Sequence, residues 1–505
     1  MELELERTAL SGYDLLTTVT LLTEQTQESI VPDACPDILR ILDTRGQVTL
    51  QSKQAEEGKA EARGSVRAWV LYLPEDGSGP RRMEVTIPYS CALEHKEITG
   101  ESQLRAIPRL TLVETRLLNP RKVYLRVEVA VDWEVYTPGS TMVCQSCREG
   151  EKWGVQQRTQ TLRRSTAVCV QEKNFTLSDT LPLPGGKPEP EELLCHSVDL
   201  LSTECKRIGS KLVFKGRAEV RVLYRGMEGP LCTADVQLPF SQIMEVGGTE
   251  EECDCDLRLC LVESVCQQEE DGGLTISLDL LVQAVCWEEQ SVEVLTDLYC
   301  TKGHGETGCS PLTYYVRLEE NQRRQMVREL FETPVAVESV VDCVLLYGPL
   351  TQTRRNETLE LRADLRLRVL FYGEDRQLYL LARSMEAVCP LELEPGCRCL
   401  VSCCCPGELY ATPAVSGLEV RFPVDFSYRS QGERQVITLT QAWVDPLEEN
   451  GEESASLILR MVEGEEGLWE IAKAHATTME AIARANGLSD EPLLRGSLLL
   501  IPKKG

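Results

Sequence analysis

Three stretches of this chain open with the same alternation, and that repetition constrains the fold more than any other feature. In GSVRAWVLYLPEDGSGPRRMEVTIPYSCALE (64–94), GRAEVRVLYRGMEGPLCTADVQLPFSQIME (216–245) and ADLRLRVLFYGEDRQLYLLARSMEA (363–387), apolar residues return at every second position. Val66, Ala68, Val70 and Tyr72 correspond to Ala218, Val220, Val222 and Tyr224, and to Leu365, Leu367, Val369 and Phe371. A period of two belongs to a strand with one face in a core. The registers agree further out. Pro32 and Pro36 of VPDACPDILRIL stand as far before Tyr72 as Pro184 and Pro188 of LPGGKPEPEELL stand before Tyr224. LVET (112–115) matches LVES (261–264), and Trp133 matches Trp287 and, more loosely, Phe426. Self-similarity over about 150 residues means duplicated domains rather than a short-period solenoid.

The repeat places domains at 1–170, 171–310 and 311–446, each of short strands separated by turns such as PEDGSGP (74–80) and EEDGG (269–273). The stretch ENQRRQMVRELFE (320–332) reads as a connecting helix, and the third copy lacks the proline pair. Alternating strands without long intervening helices predict a mainly β chain of three antiparallel sandwich or barrel-like domains. The acidic stretch 447–455 reads as a linker, leaving 456–505 as a fourth, small unit.

Composition narrows the function classes. With 53 basic and 80 acidic residues the net charge is -27, which repels phosphate backbones and anionic lipid, so no nucleic acid partner is expected. No apolar run is long enough to span a bilayer, so no membrane insertion is expected. The N-terminal MELELERTALSGYD lacks a basic, then apolar, signal pattern, and the protein is read as retained inside the cell. In that compartment the 22 cysteines should stay reduced. Many lie in strand-like runs such as RLCLVESVC (258–266), where free thiols pack as small apolar groups. The clusters CQSC (144–147), CDC (253–255), CRC (397–399) and CCC (403–405) stand out, but Cys144 and Cys147 have no second pair nearby, so no metal site is expected. Cys403, Cys404 and Cys405 read as a turn before Pro406, a place for late oxidation. His95, His196, His304 and His475 fall in unrelated contexts, and no H-E-x-x-H, G-x-S-x-G or phosphate-loop motif occurs. No catalysis and no cofactor are expected.

VPDACPDILRIL followed by GKAEARGSVRAWVLY resembles the SPOCS domain of endospore-forming Firmicutes, a module associated with spore coat proteins. The likeness extends over the first 445 residues as degenerate copies, and it implies coat or spore-envelope assembly.

The tail has its own signature. LILRMV (457–462), GLWEIAKAHATTMEAIARANGLSD (467–490) and SLLLIP (497–502) read as strand, helix, helix, strand. Thr477 with Glu480 forms a capping box for the second helix, and Asn486-Gly487 stops it. These segments resemble a LysM domain, whose members bind N-acetylglucosamine glycans in a groove between two loops. By resemblance the groove residues are Glu465, Glu466, Gly467 and Leu468 from the first loop and Asn486, Gly487, Leu488 and Ser489 from the second. The usual P-G-D-T-L of the first loop reads G-E-E-G-L here. A capping hydroxyl is lost and carboxylates arrive where a neutral sugar needs donors. Trp469 is read as a helix-packing residue.

SPOCS copies followed by a C-terminal LysM resemble the SipL family of clostridial coat morphogenetic proteins, which interact with stage IV sporulation protein A. That resemblance implies a non-enzymatic scaffold in the mother-cell cytoplasm, at the forespore surface. Its LysM tail would dock on the coat-base protein while its body supports other spore coat proteins. The alternative is a peptidoglycan-binding protein of the cortex or wall.

Overall fold

The computed structural model describes every residue except 149, 228, 248–252, 270–271, 357, 406–408, 447–456, 464–465, 489–494 and 503–505. The acidic linker lies outside the described residues.

Each copy is one round of strands, six in the first and second and seven in the third, where a pair replaces the fifth. The first runs β1 (Leu5–Ile30), β2 (Ile38–Glu56), β3 (Lys59–Pro74), β4 (Arg81–Glu94), β5 (Gln103–Asn119) and β6 (Lys122–Cys147). A single helical turn, α1 (Gly150–Trp153), leads into the second: β7 (Val155–Leu181), β8 (Pro190–Ile208), β9 (Lys211–Gly226), β10 (Leu231–Glu245), β11 (Asp254–Gln268) and β12 (Leu274–Cys300). The third is β13 (Gly303–Glu332), β14 (Val337–Arg355), β15 (Thr358–Gly373), β16 (Leu378–Glu392), the pair β17 (Arg398–Cys404) and β18 (Tyr410–Ala414), and β19 (Gly417–Pro446). In every copy the second, third and fourth strands form a three-stranded antiparallel sheet, and the first strand pairs with the last. The two sheets face each other as a sandwich, and none closes into a barrel.

The alternating positions fill the space between the sheets, as their period requires. Val66, Ala68, Val70 and Tyr72 of β3 meet Leu125, Val127, Val129, Val131 and Trp133 of β6. Ala218, Val220 and Val222 of β9 meet β12, and Leu365, Leu367, Val369 and Phe371 of β15 meet β19. The shared proline–tyrosine spacing has a physical basis. Tyr72 donates its hydroxyl to the Pro36 carbonyl at 3.4 Å, and Tyr224 donates to the Pro188 carbonyl at 3.0 Å. The third copy lost both halves of this lock together. Phe371 stands in the tyrosine position and stacks on Tyr379, with ring centroids 5.7 Å apart.

Several expectations are corrected. Residues 320–332 are strand, not helix, because β13 pairs with β19 through its whole length, from Gly303–Pro446 to Glu332–Gly417. Helical propensity yields there to a continuous ladder of backbone hydrogen bonds. Cys403 and Cys404 lie in β17, paired with Phe426 and Asp425, rather than in a turn. The joints between copies fall between Cys147 and Val155 and between Cys300 and Gly303, so positions 170 and 310 lie inside β7 and β13. The lead strand of each copy carries no shared sequence pattern that would have marked its start.

Each first–last ribbon is interrupted by a bulge at an equivalent place: Leu16 in β1, Val168 in β7 and Leu318 in β13 stand without a register partner. A bulge re-aims a ribbon, and beyond it the three ribbons leave their sandwiches and pack on one another. Leu10, Val143, Leu162 and Val294 form one shared cluster, and Leu3, Cys144, Cys147, Leu295, Leu298, Cys300, Leu439 and Val444 form a second.

The three-stranded sheets also meet, in a cyclic order. Trp69, Arg221 and Arg368 are equivalent residues of β3, β9 and β15, and each contacts the next copy. The Trp69 ring lies 5.0 Å from that of His196. Arg221 sits 3.6 Å from the Asp342 carboxylate and donates to the Cys343 carbonyl at 3.3 Å. Arg368 donates to Asp43 at 2.9 Å, which returns from the third copy to the first and closes the ring. Arg45 lies 2.6 Å from Asp43 and 3.3 Å from Asp342, joining the two acids at the centre.

Removing one partner of a buried charge group leaves the others uncompensated. Asp43→Ala should therefore cost about 3–5 kcal/mol of unfolding free energy, read by urea denaturation, and the same substitution at exposed Asp33 should cost almost nothing. Burial pushes the His196 imidazole down to about 4, with Arg67 and Arg82 adding to the effect. The unfolded chain, with its ordinary value of 6.5, then takes up this proton first, so the stability held by neutral His196 is complete above pH 6.5 and declines toward pH 4. His196→Gln should remove a stability loss of about 3 kcal/mol over that interval, measured as the difference between denaturation midpoints at the two ends.

Candidate functional site

The C-terminal unit is β20 (Leu457–Met461), α2 (Leu468–Ala474), α3 (Met479–Asn486) and β21 (Leu498–Pro502), the strand–helix–helix–strand order read from the sequence. The two strands pair antiparallel. Ile471, Ala472, Ile482, Leu499 and Ile501 form its core, together with Val462 and Trp469. At the start of α2, Gly467 offers no hydroxyl, and its backbone N–H instead donates to the Glu470 carboxylate at 3.2 Å. The cap of α3 is Thr478, whose hydroxyl accepts from the Ala481 N–H at 3.1 Å. Thr477, expected in that role, donates to the Pro502 carbonyl at 2.9 Å and ties the helix pair to β21. Only the residue directly before the first helical turn has the extended backbone a cap requires, and Thr478 has it with φ -102°. Gly487 ends α3 in the left-handed region at φ 61°, as its position after Asn486 implies.

The groove residues are largely occupied with holding the unit together. Asn486 is a clamp: its amide donates to the Ile482 and Leu500 carbonyls at 2.8 and 2.6 Å and accepts from the Leu500 N–H at 2.7 Å. Leu468 and Leu488 pack on the same core cluster. Glu466 receives both of its contacts from the Arg460 guanidinium, at 3.0 and 2.9 Å. Arg460 also approaches His475 Nε2 at 3.2 Å. Glu465 and Ser489 lie outside the described residues.

Two features were not legible in the sequence. The first is a seat on the body. Trp469 packs edge-on against Tyr299 of β12 at 4.9 Å and donates its indole N–H to Asp297 at 2.7 Å. Lys473 donates to the other oxygen of Asp297 at 2.6 Å, Arg158 of β7 bonds Glu470 at 2.9 Å, and Tyr299 donates to the Thr477 carbonyl at 2.8 Å. Trp469 is thus a packing residue whose neighbour comes from the second copy, and nothing near VEVLTDLYC (292–300) marks that strand end as a docking place. The second feature is an apolar face. Leu457, Leu459 and Met461 alternate along β20 beside Leu498 of β21, all four side chains more than half exposed. Alternation on a two-stranded sheet puts one face on the core and leaves this one uncovered.

Residues 189–265 match the family model described as SipL, SPOCS domain, and residues 462–502 match the LysM domain. The chain carries a SipL-type SPOCS domain and a LysM domain. The SPOCS match starts beside β8, crosses β9 and β10 and enters β11, so it covers the three-stranded sheet of the second copy and the first strand back in the facing sheet. The first and third copies share that strand plan. No curated protein and no solved structure matches the chain. The two domains are those of a sporulation protein with a peptidoglycan-binding-type module. No helix among the described residues is long and apolar enough to cross a membrane.

Asp297 controls how the LysM domain sits. Burial disfavours its carboxylate, but the Lys473 ammonium and the Trp469 indole N–H outweigh that and hold its pKa below the usual range. The contribution of this carboxylate is therefore complete above the unfolded value of 3.8 and fades as pH falls below it. Asp297→Leu should weaken the LysM seat by about 1–2 kcal/mol, seen as a red shift of Trp469 emission and faster proteolytic release of the tail at neutral pH.

Proposed function

We propose that this chain is a non-enzymatic morphogenetic scaffold of the spore coat, working in the mother-cell cytoplasm at the forespore surface. Its LysM domain docks on a coat-base protein resembling stage IV sporulation protein A, and the ring of SPOCS copies supports assembly of other coat proteins. The observation that carries this reading is the uncovered apolar face of Leu457, Leu459, Met461 and Leu498. Exposed aliphatic side chains grouped on one sheet gain by meeting another protein, and they offer no hydroxyl or amide to a sugar. The groove side supports the same reading, since Asn486 is spent on β21 and Glu466 on Arg460.

The LysM match itself favours a second reading, binding of N-acetylglucosamine glycan of the cortex or wall through the two loops. The readings separate in one calorimetric comparison on the full chain, with the coat-base protein in one cell and chitin oligomers in the other. Leu459→Glu with Met461→Glu should weaken protein binding at least tenfold, about 1.4 kcal/mol, and leave the fold intact because both side chains are exposed. Saturable sugar binding with no heat from the coat-base protein would establish the glycan reading instead.

A further inference from the structure

The second copy differs from its neighbours in one row across its ribbon sheet. In the row next to the bulge, the first copy places Val135 of β6 between Thr17 and Leu104, and the third places Ser430 of β19 between Glu319 and Cys399. The same row in the second copy is three cysteines, Cys169, Cys286 and Cys255, paired directly across β7, β12 and β11. Cys253 joins them two residues before Cys255, and Cys205 of β8 reaches the Cys255 thiol from the facing sheet.

The sulfurs converge. The Sγ atoms of Cys253, Cys255 and Cys286 all lie within 4.8 Å of one another, with Cys253 to Cys255 at 3.5 Å and Cys255 to Cys286 at 2.9 Å. A tetrahedral zinc with Zn–S bonds of about 2.3 Å has S–S edges of about 3.8 Å, so small side-chain rotations open this array to the required size. A cation also supplies what the thiols lack, a common partner at the centre. The surroundings suit thiolates: Arg207 donates to Cys253 Sγ at 3.0 Å and lies 3.6 Å from Glu288, placing a fixed positive charge beside the sulfurs. The two strands of the ribbon sheet and the one strand of the facing sheet are the kind of rigid support a closed structural site needs.

We propose that Cys205, Cys253, Cys255 and Cys286 form a structural site for a thiophilic divalent cation, Zn²⁺, that staples β8 to β11 and β12. Cys255 and Cys286 lie in β11 and β12, Cys253 immediately precedes β11, and Cys205, a hydrogen-bond partner of Cys255 outside the close triad, swings in from across the sandwich as the fourth. Each thiol gives its proton to solvent as its sulfur binds the metal, and no electron is transferred. Cys169 stays outside the ligand set as a hydrogen-bond partner of Cys286. Two of the four residues are the C-x-C of CDC (253–255), which in sequence has no visible second pair because the other two sulfurs arrive from strands far away along the chain.

The test is metal analysis of the full-length chain purified under reducing conditions. The expected result is one zinc per chain, absent from the Cys255→Ser, Cys286→Ser double variant and retained in Cys169→Ser and in Cys260→Ser, a buried thiol of β11. Arg207→Leu should keep the stoichiometry but lower zinc affinity about 10- to 100-fold in chelator competition. Cobalt added to the metal-free wild-type chain should give the intense visible absorption of a tetrahedral thiolate site, a readout that survives even if the double variant fails to fold. A wild-type chain that takes up neither zinc nor cobalt, an unchanged zinc content in the double variant, or a Cys255–Cys286 disulfide in the reduced preparation overturns the proposal.

Discussion

Where the three copies meet, Arg45, Arg221 and Arg368 share Asp43 and Asp342 in the interior of the ring. Taking such groups out of water is costly, and the cost is offset only if every one of them finds its partner in place. Three neutral sheets sliding over one another would have many similar arrangements. Three sheets that must bring Arg368 onto Asp43, Arg221 onto Asp342 and Trp69 onto His196 have one, in one cyclic order. The ribbons beyond the bulges at Leu16, Val168 and Leu318 add a second layer of apolar contacts between copies, which presupposes the orientation the ionic centre selects.

Duplication kept the scaffold and let its details drift. The tyrosine–proline lock persists in two copies and is replaced as a unit in the third, because an unpaired tyrosine hydroxyl in that place would cost more than a phenylalanine. The row beside the bulge centres on Val135 in the first copy, on Ser430 in the third and on Cys286, flanked by Cys169 and Cys255, in the second. The positions are conserved as geometry, while their chemistry differs.

The LysM domain is attached to this ring through the end of one ribbon rather than by its linker alone. Asp297 and Arg158 hold Trp469, Lys473 and Glu470 of α2, Tyr299 holds the Thr477 carbonyl, and the apolar β20–β21 face stays exposed. A body that presents its binding module in a fixed direction suits a scaffold, since the ordering cost is met before a partner arrives.

Much of this was legible in the chain. Strands with one buried face announce themselves by period two, and the matching of Tyr72 to Tyr224 located equivalent strands in successive copies, whereas Trp287 stands at the place of Tyr136 rather than of Trp133. The LysM order of elements, the stop at Gly487 and the packing role of Trp469 followed from local rules of the same kind. Those rules misread 320–332 as a helix, put the cap of α3 one residue early and placed Cys403 and Cys404 in a turn. In each case a hydrogen-bond partner distant in sequence decided the outcome. By itself the sequence determined which segments are strands and which face of each is apolar, because pleat periodicity is a property of neighbours along the chain. Only the tertiary structure decided that the copies close into a ring, that Asp297 seats the LysM domain and that the sulfurs of Cys253, Cys255 and Cys286 converge. Those facts depend on which strands stand beside each other, and backbone pairing joins residues that share no local pattern.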